Sequence, residues 1–283
     1  MEKRIDLLKE GFHFLSKEGL ANPKVEAEIF LSHIINCPRL GLYLDKEPIT
    51  QKESQDYWHL LRQRAKGRPL QYLIGYVEFM GLEFKTAPGV FIPRPETEIL
   101  IEKALELLTL KSYLSSAILD IGTGCGNIAI SIAKEIKKTD IFACDISDSA
   151  LQLAEENAHL NKVEINLVKS NLFSVFKRKN YFSLILSNPP YIRSEAIPGL
   201  SRELHYEPRG AIDAGNDGLL YYRAILSEAA DYLSDKGMLI LEIGDKQGAL
   251  IKEIVARTKR LSVIEVIKDY NDIERIIVAE KQR

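Results

Sequence analysis

Apolar residues in the first 75 positions recur every three to four residues. Leu7, Leu8, Phe12 and Leu15 share one helical face, as do Ile29, Phe30 and Ile34, with Val25 fitting more loosely. Asn22-Pro23 supplies an N-cap followed by proline at the first helical position. Thr50-Gln51-Lys52-Glu53 has the spacing of a capping box ahead of Tyr57, Trp58, Leu60 and Leu61. The Trp58 to Leu61 stripe reads as core; left exposed, it would instead dock a partner. Three or four short helices are predicted, forming a small bundle over residues 1–75.

The period then changes. Tyr76-Val77-Glu78-Phe79 and Leu82-Glu83-Phe84-Lys85 flank Met80-Gly81 as a hairpin. Pro88, Gly89, Pro93 and Pro95 punctuate the next ten residues, so 76–95 reads as a junction. Beyond it, helices are predicted near 96–109, 127–137, 148–160, 218–234 and 246–258. Strands are predicted at 117–121, 140–144, near 164–168, at 182–187, from Met238 to Ile243, near 262–268 and near 275–280. Such alternation predicts an α/β Rossmann-like domain over 96–283, a mostly parallel sheet with helices on both faces. The last two strands have no helix between them, so one is antiparallel.

Composition narrows the class. At 46% hydrophobic and 28% charged residues, the chain reads as a globular protein. A net charge of −2 gives no global basic field for nucleic acid. Cys37, Cys125 and Cys144 form neither a disulfide framework nor a metal pattern, and the five histidines lack ligand spacing, so no metal is expected. The charged start and the absence of a long apolar run predict a cytoplasmic protein.

Asp120-Ile121-Gly122-Thr123-Gly124-Cys125-Gly126 comes after a predicted strand and opens a helix, and Asp145 ends the next strand. Glycines let backbone approach a ligand, and an acid at that position accepts hydrogen bonds from ribose hydroxyls. The alternative is a tight strand–helix turn with no ligand. No Lys-Ser/Thr comes next, which excludes a phosphate-gripping loop. A dinucleotide is less favoured, because Asp120 would repel a pyrophosphate. S-adenosylmethionine (AdoMet), with its sulfonium and ammonium, suits the acid better. Cys125 reads simply as a small residue.

The strand Phe182-Ser183-Leu184-Ile185-Leu186 runs into Ser187-Asn188-Pro189-Pro190-Tyr191. The two prolines stiffen the backbone and remove its donors. With the Asn188 side-chain oxygen they offer preorganised acceptors beside an aromatic ring, a site for a flat substrate bearing NH₂. The plain reading is a rigid surface turn. Elsewhere, Arg94 reads as a solvated linker charge or a lid over the cofactor, and Phe91 as core. Glu207 and Arg209 read as ordering their own loop, and Lys177-Arg178-Lys179 as a solvated turn.

The glycine loop, Asp145 and Asn188 to Tyr191 together resemble class I AdoMet-dependent methyltransferases acting on a planar nitrogen. Arg68 to Gly75, Phe91-Ile92-Pro93-Arg94-Pro95-Glu96-Thr97-Glu98, Tyr206-Glu207-Pro208, Gly215 to Leu219 and Asp269-Tyr270 through Arg275 resemble the peptide-chain-release-factor glutamine methyltransferases, the PrmC/HemK family. This implies a seven-stranded mixed sheet behind a helical substrate-recognition domain. It also implies methylation of the side-chain amide nitrogen (N5) of the glutamine in the Gly-Gly-Gln motif of class 1 release factors, free or on the ribosome, with S-adenosylhomocysteine as product. By position, Gly122, Thr123, Gly124, Cys125, Gly126, Asp145, Leu172 and Asn188 hold AdoMet, and Asn188, Pro189, Pro190 and Tyr191 hold the glutamine. Leu172 departs from an aromatic found in some relatives, and Asn171 from the usual aspartate. Both departures would weaken adenine binding without changing the reaction. A monomer without membrane or nucleic-acid substrate is expected. The rivals are an adenine-N6 DNA or guanine-N2 RNA methyltransferase and an AdoMet-binding regulator without catalysis.

Overall fold

The computed structural model describes residues 2–44, 48–110, 117–137 and 139–282. They divide into two compact units, one of Met1–Gly75 with Ser201–Tyr206 and one of Tyr76–Leu200 with Glu207–Arg283.

The first unit contains β1 (Glu2–Lys3), α1 (Arg4–Lys17), α2 (Pro23–Ile35), α3 (Gly41–Leu44), β2 (Pro48–Ile49), α4 (Gln51–Ala65) and α5 (Leu70–Ile74). Strands β1 and β2 pair antiparallel. The periodic residues explain the bundle: Leu7, Leu15, Phe30, Leu31, Tyr57 and Leu61 are all fully buried. Trp58 packs against this core and meets Phe14 edge-on at 5.6 Å. The Thr50 capping box forms, with Thr50 Oγ1 accepting from the Glu53 N–H and the Thr50 N–H donating to Glu53. Asn22 differs from expectation, since its side chain makes no capping bond, although Pro23 does open α2. Arg64, buried in α4, donates to Glu26 at 2.5 and 3.0 Å and to Glu203 at 2.5 Å.

In the second unit, β3 (Tyr76–Phe79) and β4 (Leu82–Lys85) form the expected hairpin, with Phe79 opposite Leu82. Next come α6 (Glu96–Leu110), β5 (Ala117–Ile121), α7 (Asn127–Glu135), β6 (Asp140–Asp145), α8 (Asp148–Asn161), β7 (Asn166–Lys169) and β8 (Phe182–Ser187). The chain ends with α9 (Leu220–Tyr232), β9 (Leu233–Glu242), α10 (Gly248–Thr258), β10 (Leu261–Lys268) and β11 (Glu274–Lys281). The sheet order is β10-β11-β9-β8-β5-β6-β7. Strand β11 is antiparallel to both neighbours and the other pairings are parallel. The seven-stranded mixed sheet is as expected.

Both sheet faces are covered. Ile118, Leu184, Leu186 and Ile240 pack with α6, α7, α8 and the hairpin on one side. Leu119, Ile121, Ile185 and Leu241 pack with α9 and α10 on the other. Burial on two faces is why these strands read as continuous apolar runs.

Several boundaries differ from the sequence pattern, α9 and α10 among them by two residues at an end. A strand is expected near 164–168, but the Val163 N–H closes the end of α8 on the Ala158 carbonyl, so β7 starts at Asn166. Strand β9 begins at Leu233, not Met238. Its polar residues Asp235, Lys236 and Gly237 bulge between the pairs Phe182–Leu233 and Leu184–Met238, with Lys236 at φ 59°. Helix α7 ends at Glu135, two residues before the expected boundary. Between β8 and α9 the chain forms short 3₁₀ turns at Ser194–Gly199, Leu204–Tyr206 and Arg209–Ala211, none of which the pattern predicts.

Candidate active site

Register brings the predicted residues to one rim. Ile121, the last residue of β5, lies level with Cys144 on β6 and with Ser187 on β8. The next residues, Gly122, Asp145 and Asn188, therefore emerge side by side at the carboxyl ends of three adjacent strands. Strand order reverses about β5, and ligands of open α/β sheets bind at that point. Asp145 and Asn188 stand two strand spacings apart, roughly 10 Å.

The loop after β5 is held from below. The Gly122 and Thr123 N–H groups donate to the Cys144 carbonyl at 2.8 and 3.0 Å. Asp145 accepts the Gly124 N–H on one carboxylate oxygen and the Ser147 N–H on the other, both at 2.9 Å. Each oxygen keeps a lone pair for a further donor. A Cβ added to Gly122 or Gly124 would meet nothing within 4 Å, so this face of the loop opens onto free space. Gly126 is different: a Cβ there would lie 2.8 Å from Ile130 Cδ1 and 3.1 Å from Ala154 Cβ. It is needed for close packing of α7 against α8.

Asp120 does not project into this space. It is wholly buried in β5 and accepts a 2.6 Å hydrogen bond from Thr123 Oγ1. Burial pushes its carboxyl up to about 7, with the charge of Asp145 adding to the rise. Asp120 thus orders the glycine loop, where the sequence suggested an acid facing a cationic ligand. Cys125 is buried and its thiol is pushed up to about 12 by burial, the state of a small packing residue rather than a redox centre.

Past Asp145, two apolar side chains stand at the rim. Ile146, 65% exposed, was missed by sequence reasoning, whose only available signal was an apolar residue after a strand-end acid. Leu172 is half-buried and sits at φ 49°, a left-handed conformation that costs a non-glycine residue about 1 kcal/mol. Its carbonyl accepts from Ser170 Oγ at 2.7 Å, which helps hold it there. Asn171 beside it is exposed. An open glycine cradle, a carboxylate with spare acceptors and two apolar side chains match a nucleoside-bearing cofactor such as AdoMet. Among the described residues no group of three His, Cys, Asp or Glu residues is arranged to hold a metal. No described helix is long and apolar enough to cross a membrane.

The second half of the site lies beyond β8. Asn188 Nδ2 donates to Thr97 Oγ1 at 3.0 Å, and Thr97 Oγ1 donates to Glu242 Oε2 at 2.7 Å. Thr97 lies in α6 and Glu242 ends β9; both are buried. Burial pushes the Glu242 carboxyl up to about 7, opposed by its hydrogen bonds from Thr97 and, more weakly, Asn188. Gln247 anchors the end of the motif: its Nε2 donates to the carbonyls of Tyr191 and Gly218 at 3.0 and 3.1 Å, and its Oε1 accepts the Gly244 N–H. The Tyr191 hydroxyl is pushed up to about 12 by burial, with the Glu242 charge adding to it, so it stays protonated at neutral pH. Thr97, Glu242 and Gln247 carried no signal as site residues when read one at a time.

The linker is ordered by partners outside its own segment. Arg94 pairs with the buried Glu207 carboxylate and lies over the Phe91 ring, 4.9 Å from its centroid. Glu207 also accepts the Ile92 N–H at 3.1 Å. Arg94 is therefore not a free solvated charge, and Phe91 is only half-buried. Glu207 orders the linker, whereas Arg209 does pair within its own loop, with Asp213. Asn157, fully buried in α8, ties the hairpin to the glycine loop. It donates to the carbonyls of Cys125 at 2.9 Å and Lys85 at 3.2 Å and accepts the Lys85 N–H at 2.7 Å.

Comparison with known proteins places this geometry. Residues 6–75 match the family model of the PrmC N-terminal domain, and residues 81–204 match the methyltransferase small domain. The release factor glutamine methyltransferase of Fusobacterium nucleatum is 37% identical over 284 residues, covering 99% of this chain and 79% of the relative. That of Thermodesulfovibrio yellowstonii is 38% identical, covering 91% of this chain and 92% of the relative. Among solved structures, the 16S rRNA N2 G1207 methyltransferase of Thermus thermophilus, in complex with AdoMet and guanosine, superposes with a TM-score of 0.53 at 17% identity, covering 73% of this chain and 50% of that one. A methyltransferase from Pyrococcus furiosus gives 0.51 at 21%, covering 72% and 90%. These two likenesses concern the fold alone. Identity of the order found in the bacterial relatives, sustained along nearly the whole sequence, means that the chain belongs to the release factor glutamine methyltransferase family.

Proposed function

We propose that this protein transfers a methyl group from AdoMet to the side-chain amide nitrogen of the glutamine in the Gly-Gly-Gln motif of class 1 release factors. The observation that carries the reading is the shared rim, where the open cradle of Gly122 to Gly126 with Asp145 stands level with Asn188. When bound, AdoMet supplies an electrophilic sulfonium methyl and leaves as S-adenosylhomocysteine.

In this reading Asp145 takes the ribose hydroxyls, Gly122 to Gly126 the backbone-facing side of the cofactor, and Leu172 with Ile146 its adenine. An amide nitrogen is a weak nucleophile because its lone pair is delocalised into the carbonyl. Asn188 Oδ1 and the Pro189 carbonyl each accept one N–H of that amide. They stabilise the positive charge that grows on nitrogen and hold it in line for transfer. Pro190 stiffens the backbone and Tyr191 packs against the flat amide. A protonated Tyr191 and a buried Glu242 already engaged by Thr97 leave no group here poised as a base. The nitrogen becomes acidic as it is alkylated, so its proton passes to solvent.

The helical unit recognises the release factor, and the enzyme works as a cytoplasmic monomer without a nucleic-acid substrate. Incubating the protein and methyl-labelled AdoMet with a release factor, duplex DNA and tRNA in parallel tests the assignment. Label on the release factor alone is expected; label on nucleic acid alone would overturn it.

A further inference from the structure

An asparagine side chain can face a substrate with either end. Turned one way it offers an oxygen that accepts an N–H; turned the other way it offers an NH₂ that repels one. The reaction needs the first orientation, so something must set it. The structure shows the means in Thr97, whose hydroxyl lies between Asn188 Nδ2 at 3.0 Å and Glu242 Oε2 at 2.7 Å.

A hydroxyl carries a single proton, and a carboxylate only accepts. With Glu242 ionised, the Thr97 proton goes to Glu242, and the oxygen of Thr97 is left as an acceptor. The end of Asn188 that faces Thr97 must then be its NH₂. We propose that Thr97 and Glu242 are positioning residues for methyl transfer: the Thr97 hydroxyl, and Glu242 both through that hydroxyl and directly, hold the Asn188 amide with Nδ2 inward and Oδ1 toward the substrate. Neither residue touches substrate. They join α6 and the end of β9 to the end of β8, across sequence separations of 91 and 145 residues. The inference rests on the proposed role of Asn188 as an acceptor.

Protonation of Glu242 removes the constraint. A carboxylic acid can donate to Thr97, whose own proton is then free to go to Asn188 Oδ1, turning the NH₂ outward. Burial has pushed this carboxyl up to about 7, so the change falls in an accessible range. The groups facing Glu242 are Thr97 and Glu96 from α6, Asn188 and Tyr191 from the end of β8, Arg275 from β11 and Tyr222 from α9. Glu96 favours the protonated form and Arg275 the ionised one. The productive orientation is held above the Glu242 value and lost as pH falls through it.

The test measures single-turnover methylation of a Gly-Gly-Gln peptide, peptide affinity, AdoMet affinity by calorimetry and melting temperature for wild-type, Thr97→Val, Thr97→Ser and Glu242→Gln. Thr97→Val should slow transfer and weaken peptide binding by about tenfold, the worth of one misplaced hydrogen bond, with AdoMet affinity unchanged. Thr97→Ser, which restores the hydroxyl, should recover most of that loss. The wild-type rate should rise with pH through about 7, and Glu242→Gln should flatten that rise. Transfer by Thr97→Val within twofold of wild-type, or equal losses in Thr97→Val and Thr97→Ser, would overturn the proposal. So would a rise with pH that survives in Glu242→Gln. Failure of wild-type protein to methylate the peptide would instead remove the reading of Asn188 on which the proposal depends.

Discussion

Two glycines of one loop should fail in different ways when given a methyl group. Both have positive φ, 56° at Gly124 and 87° at Gly126, so alanine at either carries about 1–2 kcal/mol of backbone strain. Their surroundings differ. A Cβ on Gly124 meets nothing within 4 Å, so Gly124→Ala adds no packing cost, and its melting temperature should fall by only about 2–8 °C. That Cβ instead occupies the space assigned to the cofactor, and AdoMet affinity should drop about tenfold or more. Gly126→Ala drives its Cβ to 2.8 Å from Ile130 Cδ1 and 3.1 Å from Ala154 Cβ. Overpacking of this kind adds about 1–3 kcal/mol. The sum of about 2–5 kcal/mol predicts a loss of roughly 4–20 °C before any ligand is considered. Thermal denaturation without ligand, paired with calorimetric titration of AdoMet, separates the two effects. A Gly124→Ala protein that binds AdoMet as wild-type does would refute the cradle. A Gly126→Ala protein no less stable than Gly124→Ala would refute the packing argument.

The same contacts set further outcomes. Asn157→Ala removes three hydrogen bonds, one of them buried and two part-buried, at about 1 kcal/mol each and should lower the melting temperature by roughly 6–12 °C. AdoMet affinity should fall with it, because the Cys125 carbonyl loses its anchor. The Asp120 carboxyl sits at about 7 in the folded protein against an ordinary 3.8, so the folded state holds the proton more tightly. Its stabilising effect is complete below the ordinary value and is lost as pH rises toward the folded one. Asp120→Asn should therefore lessen the decline of wild-type stability between about pH 4 and 7, by at most about 1.4 kcal/mol per pH unit. Denaturant titration across that range measures it, and an unchanged slope would count against the burial argument.

Local features were the ones legible in the chain. The hairpin from Tyr76 to Lys85 and the strands Ala117–Ile121 and Phe182–Ser187 arise from short-range alternation, turn residues and apolar runs. The glycine loop, Asp145 and Asn188 to Tyr191 were legible because strand-end chemistry occupies contiguous positions. The bulge at Lys236 was not, because a polar triplet inside a strand looks like the loop between elements. Nor were the groups that order the site. Thr97 is one hydroxyl in a helix, and Glu242 one acid at the end of an apolar strand. Their meaning arises only when folding brings them to Asn188. Glu207 likewise finds Arg94 across 113 residues, and no pattern in either segment announces the pair. The burial that sets the protonation of Asp120 is likewise a property of the packed sheet and not of its local sequence.

If Asn188 and its neighbours present a glutamine amide to the AdoMet cradle, the methyl must arrive on one particular nitrogen. Tandem mass spectrometry of a release factor after incubation with AdoMet and either wild-type protein or Asn188→Ala shows where it goes. A mass gain of one methylene is expected on the glutamine side chain of the Gly-Gly-Gln motif. Its rate should be lower by about a hundredfold or more in Asn188→Ala, with AdoMet still bound. Methyl on any other atom, or near-normal transfer by the variant, would contradict the proposed role of Asn188.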